Sequence, residues 1–415
     1  MKCIKSLLGA LDSSKLGSAS KALSTASLEY YANFAYYFAF ALYATSRFLS
    51  YTTFETMLFL PKDTFADALQ AIALVLLVVK FVLQRVPLHG WFIATTIVLV
   101  GFASWQQAAE GWLFWLVLFV VCSEGISIKA LAGTTFVIVA VLTPLTMFCG
   151  SLGIIENRIS VRAGVYRQAL GFTHPNNLGY FVLLLSTSFS VMRWGERPIP
   201  DIILILLTLP VNLLIANSRS SAALSLFQIA LLLVFWLVRN PKARRLVSVG
   251  CVAVVAMVVA FSYWSLVFYN ASDAIMRALD TALTGRLNLA HAYYQVQGLT
   301  LFGSDYSQAN LVFWESGKPY TFVVDNAFCH LLLRYGIVPT ALFLAGLFSL
   351  LAKLLHERRW DSILFGLTLM SVYGFCETLG IQVECDFFLV SMGTELLFGQ
   401  SGLLCGKRSI VGRES

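Results

Sequence analysis

The sequence predicts an all-α polytopic membrane protein, and composition and hydropathy are the two observations behind that prediction. Of the 415 residues, 58% are hydrophobic and only 12% are charged, and the mean hydropathy is +0.76. Many apolar stretches reach the roughly 20 residues that a membrane-spanning helix needs. Because lipid offers no hydrogen-bond partners, the backbone of such stretches must satisfy its own polar groups within a helix.

In chain order, the hydropathy pattern predicts about twelve transmembrane helices. Ten or eleven remain alternatives, because the fourth is short and the last contains Glu395. The predicted spans are 29–47, 68–85, 91–107, 111–124, 131–149, 177–193, 200–216, 222–239, 246–268, 325–352, 362–378 and 386–403. They divide the chain into an N-terminal arm (1–27), a helical bundle (28–404) with one large loop at 269–324, and a C-terminal tail (405–415).

The distribution of lysine and arginine predicts the orientation of these spans. With the N-terminus inside, 18 of these residues fall in cytoplasmic segments and nine in outer segments, as the positive-inside rule expects. Both termini, including the arm and the tail, are therefore expected in the cytoplasm. Seven of the nine outer cations lie in only three segments, 150–176, 217–221 and 269–324, which predicts an anion-binding function at the outer face.

Three arginines from these three segments are candidate ligands for a diphosphate. They are Arg167, Arg219 within Asn217-Ser218-Arg219-Ser220, and Arg286 within Thr284-Gly285-Arg286. A guanidinium binds phosphate oxygens in a bidentate fork and stays charged at any working pH. The alternative for each arginine taken singly is that it reaches the phosphates of the surrounding lipid.

Two segments that open predicted spans contain groups suited to proton transfer. His174 and Asn176 precede one span, where His174 is a candidate catalytic group and Asn176 a supporting residue or a helix cap. Asp325 opens another span and is the acid best placed to deprotonate a sugar hydroxyl, with helix capping as the alternative. Arg334, nine residues later, is expected to face the bundle and to pair with Glu377 or Asp386.

Several classes of function find no support in the sequence. Metal-binding, glycine-rich phosphate-binding and nucleotide-binding motifs are not seen, so neither a metal nor another cofactor is expected. The net charge of +7 is attributed to cytoplasmic loops rather than to nucleic-acid binding. The energy for any reaction would then come from the substrate itself.

At these residues the sequence resembles the O-antigen and capsular polysaccharide polymerases, the Wzy-like proteins, and the related O-antigen ligases. The resemblance begins with Arg167-x-x-x-Gly171-Phe172-x-His174-Pro175-Asn176-x-Leu178-Gly179 and continues through the segments that contain Arg219 and Arg286. It ends with Leu301-Phe302-Gly303-Ser304-Asp305, Asp325-Asn326-Ala327-Phe328 and Leu332-Leu333-Arg334-Tyr335-Gly336. Each motif is short, and their order over residues 160–345 carries the resemblance.

The resemblance implies a C-type, metal-independent glycosyltransferase in the bacterial cytoplasmic membrane, with its active site on the outer face. The substrates it implies are glycans on undecaprenyl diphosphate, and the partners are membrane lipid, a flippase and a chain-length regulator. The product would be capsule, exopolysaccharide or O-antigen. Arg167 and Arg286 correspond to the diphosphate-binding arginines of the ligases, but Asp325 stands where the ligases carry a catalytic histidine.

This departure favours a polymerase, which adds the chain to the next lipid-linked repeat unit, over a ligase, which transfers it to lipid A core. A flippase or transporter of lipid-linked sugars is the alternative from another class. A transporter would be expected to carry charged pairs at mid-membrane and an internal repeat. No repeat is visible in the sequence.

Overall fold

The computed structural model describes residues 13–84, 86, 88–162, 164–305, 312–315, 318–321 and 324–398. Within them the chain forms fourteen α-helices and three two-stranded antiparallel hairpins. The helices are α1 (Ser13–Ser50), α2 (Lys62–Leu83), α3 (Leu88–Ala108), α4 (Trp112–Val121), α5 (Ile128–Ser151), α6 (Pro175–Met192), α7 (Ile199–Pro210), α8 (Arg219–Leu237), α9 (Pro241–Phe268), α10 (Ala274–Ala282), α11 (Arg286–Gln297), α12 (Ala327–Tyr335), α13 (Ile337–His356) and α14 (Ser362–Cys376). The strands are β1 (Thr56–Met57), β2 (Leu60–Pro61), β3 (Ile159–Arg162), β4 (Val165–Gln168), β5 (Val312–Glu315) and β6 (Lys318–Thr321).

Five helices of the described chain, α2, α5, α8, α9 and α13, are long and apolar enough to cross a membrane. Only 22% to 44% of the apolar window of each is buried inside the protein. Most of their apolar surface therefore faces outward, as contact with lipid requires. These helices support a membrane-embedded all-α protein, whereas the number of twelve spans stays a prediction.

The centre of the bundle is formed by α6 and α14, which are buried on nearly every face. A helix that is apolar all round belongs in the interior. The first turn of α6 and the last turn of α14 lie at the same end of the bundle, where Asn176 contacts Glu377. Side chains at these two helix ends are therefore positioned by the interior helices of the bundle.

Glycines set two close backbone contacts near this end. A Cβ atom added to Gly179 of α6 would lie 2.6 Å from Ser218 Cβ, so a larger residue would push the turn before α8 away. Gly336 has a positive φ of 88° and separates α12 from α13. A Cβ there would lie 2.3 Å from the backbone nitrogen of Gly303.

The predicted span 325–352 is therefore wrong as a single helix. Residues before Gly336 form α12, and residues after it form α13. A positive φ is readily adopted only by glycine, so the chain can turn at this point and receive the segment around Gly303. The predicted last span, 386–403, also differs: its described part consists of the 3₁₀ turn Phe387–Val390 and the π-helical turn Met392–Leu397.

The ends of the bundle differ from the predicted division in two further ways. Helix α1 begins at Ser13, so part of the predicted N-terminal arm is continuous with the first predicted span. The large loop predicted at 269–324 contains α10, α11 and the β5–β6 hairpin. Residues 1–12 and the predicted tail 405–415 lie outside the described residues.

Candidate functional site

A chain of hydrogen bonds and ion pairs joins six segments at one end of the bundle. It runs from Asp325 through Arg286 and Glu377 to Asn176, Arg167 and the Ala216 carbonyl. With two further cations it forms what we call the arginine site. Its charged members are Arg162, Arg167, Arg219, Arg286, Asp325 and Glu377.

Arg286 is placed by the turn between α10 and α11. Thr284 and Gly285 both have positive φ, and Asp280 accepts hydrogen bonds from the first backbone amides of α11. The Arg286 Nε donates to Asp325 Oδ2 at 3.0 Å, and its Nη2 donates to Glu377 Oε1 at 2.9 Å. One guanidinium therefore links two carboxylates that come from different helix ends.

Asp325 does not cap the helix that follows it. The Asn326 side chain performs that role by accepting hydrogen bonds from Phe328 N and Cys329 N, both at 3.0 Å. The capping alternative for Asp325 is thereby removed. Its side chain is 30% exposed, and within the described chain its Oδ1 accepts no hydrogen bond, so this oxygen can accept one from a ligand.

Arg167 lies on the inner face of the β3–β4 hairpin and is only 4% exposed. Its Nε donates to the Ala216 carbonyl at 3.0 Å, and its Nη2 donates to Asn176 Oδ1. Both partners are neutral acceptors. Asn176 also donates from Nδ2 to Glu377 Oε1 at 2.8 Å, so it links Arg167 to Glu377, and its supporting role in a reaction stays a prediction.

Arg162 lies on the same face of the β3–β4 hairpin as Arg167. Ser160 is paired with Arg167, and Arg162, two residues after Ser160, points to the same side because side chains alternate along a strand. Its Nη2 donates to the Asn217 carbonyl at 2.7 Å. Burial, followed by the charges of Arg219 and Arg286, lowers the pKa of Arg162. Burial, followed by the charge of Arg162, lowers the pKa of Arg167 to about 10, which leaves it charged at neutral pH.

The charges of the arginine site are not balanced. Among the described residues, no carboxylate lies within 4.0 Å of the guanidiniums of Arg162, Arg167 or Arg219. Four arginines and two carboxylates leave a net charge of +2, and +3 when one carboxylate is protonated. Like charges held together without counter-charges are costly, so their arrangement indicates an anionic ligand.

His174 is the N-cap of α6, a role that the sequence analysis allowed for Asn176. Its Nδ1 accepts a hydrogen bond from Asn176 N at 3.1 Å. Burial, followed by the charge of Arg167, lowers the pKa of His174 to about 4. The ring is therefore neutral at pH 7, and the tautomer assigned from this hydrogen bond carries its proton on Nε2 as a donor.

Glu377 is the central acid of the site, and the sequence predicted it only as a partner of Arg334. It lies directly after α14, where it accepts from both Arg286 and Asn176. Burial, followed by repulsion from Asp325, raises the pKa of Glu377 to about 8. Burial also raises the pKa of Asp325. An acid at the very end of the predicted apolar span 362–378 was the signal that could have identified it.

Arg334 faces the interior of the bundle as predicted, but its predicted pairing is wrong. It lies 2.6 Å from Asp305 Oδ1 and 3.3 Å from Glu110 Oε2. His330, stacked on Trp112, also contacts Glu110 at 3.1 Å. Because the chain turns at Gly336, the Arg334 side chain meets the segment after Gly303 rather than Glu377 or Asp386.

Two further observations concern Arg158, a cation of the same outer segment as Arg167, and the arrangement of metal-ligating side chains. Arg158, although near Arg167 in sequence, is exposed and pairs with Glu156 at 3.0 Å. Within the described chain, no group of three His, Cys, Asp or Glu side chains has the arrangement of a metal site.

The site thus combines buried, partly unbalanced arginines with two carboxylates and a neutral histidine at the ends of interior helices. Fixed guanidinium groups of this kind can stabilise negative charge that develops on a leaving group. Comparison with protein-family models, curated proteins and solved structures found no match for this chain, so the residues of the site carry the functional inference.

Proposed function

We propose that this protein is a polysaccharide polymerase that transfers a glycan from undecaprenyl diphosphate onto the next lipid-linked repeat unit. The observation that carries the proposal is the surplus of cations in the arginine site. Arg162 and Arg167 bind only neutral acceptors in the described chain. Each therefore retains its full charge for a ligand.

The charge and shape of a lipid-linked diphosphate fit this surplus. A diphosphate esterified at both ends carries two negative charges, which the net positive charge of the site can balance whether Glu377 is protonated or ionised. Bidentate guanidinium contacts suit phosphate oxygens. The prenyl chain of such a donor would lie along the apolar helices, which present most of their surface outward.

The proposed reaction needs one base and one charged leaving group. The acceptor hydroxyl gives its proton to Asp325, and its oxygen attacks the anomeric carbon of the donor glycan. The bond between that carbon and the diphosphate breaks, and undecaprenyl diphosphate leaves with the additional negative charge. Arg167 and Arg286 stabilise that charge more strongly in the transition state than in the substrate.

His174 and Arg219 have secondary roles in this proposal. The Nε2–H of His174 donates a hydrogen bond to the departing diphosphate, since its Nδ1 is occupied by the backbone of α6. Arg219 is exposed at the start of α8 and contacts the outer phosphate. No nucleotide or metal takes part in any step.

The decisive experiment is deletion of the gene in its host, followed by gel analysis of surface polysaccharide. Loss of a polymerase leaves single repeat units on the acceptor lipid. Loss of a ligase leaves long polymer that is not attached to lipid A core, and loss of a flippase leaves no exported repeat unit. Extension of a lipid-linked repeat unit by purified protein, without added nucleotide or metal, would establish the activity directly.

The proposal also requires the arginine site to face outward in the cytoplasmic membrane. A single cysteine at Ala271, which is exposed between α9 and α10, can be introduced into a chain whose eight cysteines are replaced. A membrane-impermeant maleimide should label it in intact cells. Labelling only after the membrane is opened would refute both the orientation and the proposed reaction.

A further inference from the structure

A second polar cavity lies at the opposite end of the bundle from the arginine site. Helices α6 and α8 connect the two, since each carries an arginine-site residue at one end and cavity residues at the other, and α14 lies between Trp360 of the cavity and Glu377 of the arginine site. The cavity has a volume of about 180 Å³. Its polar lining includes Arg193, Asp201, Arg239 and Arg244, with the indoles of Trp194 and Trp360 beside them.

Two of the three arginines of this cavity have no carboxylate partner among the described residues. Arg244 donates from Nε to the Val238 carbonyl at 3.0 Å, and its guanidinium lies 5.6 Å from the centre of the Trp360 ring. Arg239 is exposed at the end of α8. Arg193 is neutralised by Glu196 at 2.7 Å and by Asp201 at 3.5 Å. The first two arginines are therefore available to a phosphate.

Asp201 provides an independent indication of a ligand. The residue is only 4% exposed and lines the cavity. Its Oδ2 lies 3.5 Å from Arg193 Nη1, whereas its Oδ1 has no hydrogen-bond partner, because the nearby Ser190 hydroxyl donates to the Ser186 carbonyl. A buried carboxylate oxygen without a donor is unfavourable and rare in folded proteins. A ligand group that enters this cavity with an N–H donor would satisfy it.

We propose that the cavity binds the headgroup of a membrane lipid that carries both a phosphate and a primary amine, as in phosphatidylethanolamine. The phosphate contacts Arg239 and Arg244, and the ammonium donates to Asp201 Oδ1. Indoles and arginines at the ends of apolar helices are typical of the membrane interface, which favours a lipid over a soluble compound. This inference is independent of the proposed polymerase activity.

Three lipids distinguish this proposal from simple attraction to phosphate. Phosphatidylcholine has the same charges as phosphatidylethanolamine, but its quaternary nitrogen has no N–H to donate to Asp201. Phosphatidylglycerol has the phosphate and a net negative charge but no amine. A site for the amine and the phosphate together should prefer phosphatidylethanolamine to both, whereas a site for any anionic lipid should prefer phosphatidylglycerol.

The experiment is native mass spectrometry of delipidated, purified full-length protein after titration with each lipid. We expect retention of phosphatidylethanolamine to exceed that of phosphatidylcholine about tenfold, since one hydrogen bond to a charged group separates them. Asp201→Asn should reduce this preference to about twofold or less. Arg244→Ala should weaken both lipids, whereas Arg245→Ala, an adjacent exposed arginine outside the cavity, should change neither.

Equal retention of phosphatidylethanolamine and phosphatidylcholine by the unaltered protein would overturn the proposal, and so would preferred retention of phosphatidylglycerol. The proposal would also be overturned if Arg244→Ala and Arg245→Ala changed lipid retention equally. These two variants still test the proposal if the Asp201→Asn protein does not fold. Soluble phosphoethanolamine is added as a competitor. Displacement of the lipid at equal concentration would assign the site to a soluble ligand and contradict the lipid assignment.

Discussion

The arginine site and the charged network around Glu395 show two different uses of ionised side chains in one bundle. In the Glu395 network, Glu395 contacts Lys353 at 3.1 Å and Arg359 at 3.2 Å, and Arg359 also contacts Asp361. Each cation there has at least one carboxylate partner. In the arginine site, Arg162 and Arg167 have none among the described residues.

The difference separates a structural network from a ligand site. Ion pairs that only join segments of the fold should be close to neutral, because an unpaired buried charge is destabilising. A site that binds an anion has to keep part of its positive charge uncompensated in the empty state. The four predictions below test this distinction at individual residues, in order of decreasing expected effect.

The largest effect is expected for Asp325→Asn. Asparagine keeps the size of the side chain and can still accept from Arg286, but it cannot take a proton from the acceptor hydroxyl. Chain extension should fall by a factor of roughly 100 or more, in the range found for removal of a general base. Binding of the donor lipid and the melting temperature should change little, because Asn326 caps α12.

The control for this prediction is Asp273→Asn, the same substitution at the exposed N-cap of α10, outside the arginine site. It should leave chain extension within about twofold of the unaltered protein, since asparagine caps about as well as aspartate. Full-length polymer from the Asp325→Asn protein would exclude Asp325 as the base.

Replacement of Arg167 or Arg286 by lysine should give the next largest effect. Lysine keeps the charge but cannot form the bidentate fork, and one charge-assisted contact is typically worth about 1.5–3 kcal/mol. We therefore expect chain extension to fall about tenfold or more. The measurement is the initial rate of extension at equal amounts of membrane-inserted protein.

Arg359→Lys in the Glu395 network is the matched control for these two variants. This arginine has carboxylate partners that lysine can partly retain, so we expect a lower melting temperature and an unchanged rate per folded molecule. Normal rates from both the Arg167→Lys and Arg286→Lys proteins would show that the arginine site is also structural. A rate loss in Arg359→Lys as large as theirs would remove the distinction between the two regions.

His174 should show a smaller effect that separates its capping role from its donor role. His174→Ala removes the N-cap of α6, which typically costs about 0.5–2 kcal/mol of stability. His174→Asn retains a capping oxygen but lacks the Nε2–H donor. We expect the asparagine variant to keep its melting temperature and to extend chains several-fold more slowly. If it extends chains at the normal rate, the histidine is only a cap.

The sequence identified the parts of the site that lie beside helix starts, but it did not identify their partners. Asp325 was recognisable because it opens a predicted span, and Arg286 because it is one of the few cations in the predicted outer segments. Glu377 is 91 residues from Arg286 and 201 residues from Asn176, and no local pattern indicates which acid meets which arginine. Such pairings depend on how the helices pack, which hydropathy does not determine.

The fold shows the same division between local and distant information. Apolar composition predicted the membrane-embedded helical class, because each long helix carries its own signal. It did not predict the break at Gly336, since averaging over a window of about 19 residues conceals a single glycine. The break follows from the contact with Gly303, which is distant in sequence from the apolar stretch itself.

The smallest effect is expected in the pH dependence of donor binding, and it tests whether Glu377 belongs to the ligand site. Burial, followed by repulsion from Asp325, raises the pKa of Glu377 from its ordinary value of 4.5 to about 8. Below pH 8 the group is mostly protonated, and Arg286 keeps more of its charge for the diphosphate. As the pH rises through 8, Glu377 ionises and places a negative charge beside the ligand.

The dissociation constant of the lipid-linked repeat unit should therefore increase several-fold between pH 7 and pH 9. The diphosphate of this lipid is a diester and does not titrate in that range, and His174, with a pKa of about 4, remains neutral throughout. Glu377→Gln keeps an oxygen that accepts from Asn176 and Arg286 but cannot ionise, so the dissociation constant of this variant should not change with pH.

The raised pKa also means that Glu377 favours the folded state most below pH 4.5 and that this contribution is lost as the pH rises through 8. The Glu377→Gln protein should therefore lose less melting temperature over that range than the unaltered protein does. If the dissociation constant of the Glu377→Gln protein rises with pH as it does in the unaltered protein, the titrating group is another residue. Glu377 would then be only a structural partner of Arg286, like the carboxylates of the Glu395 network.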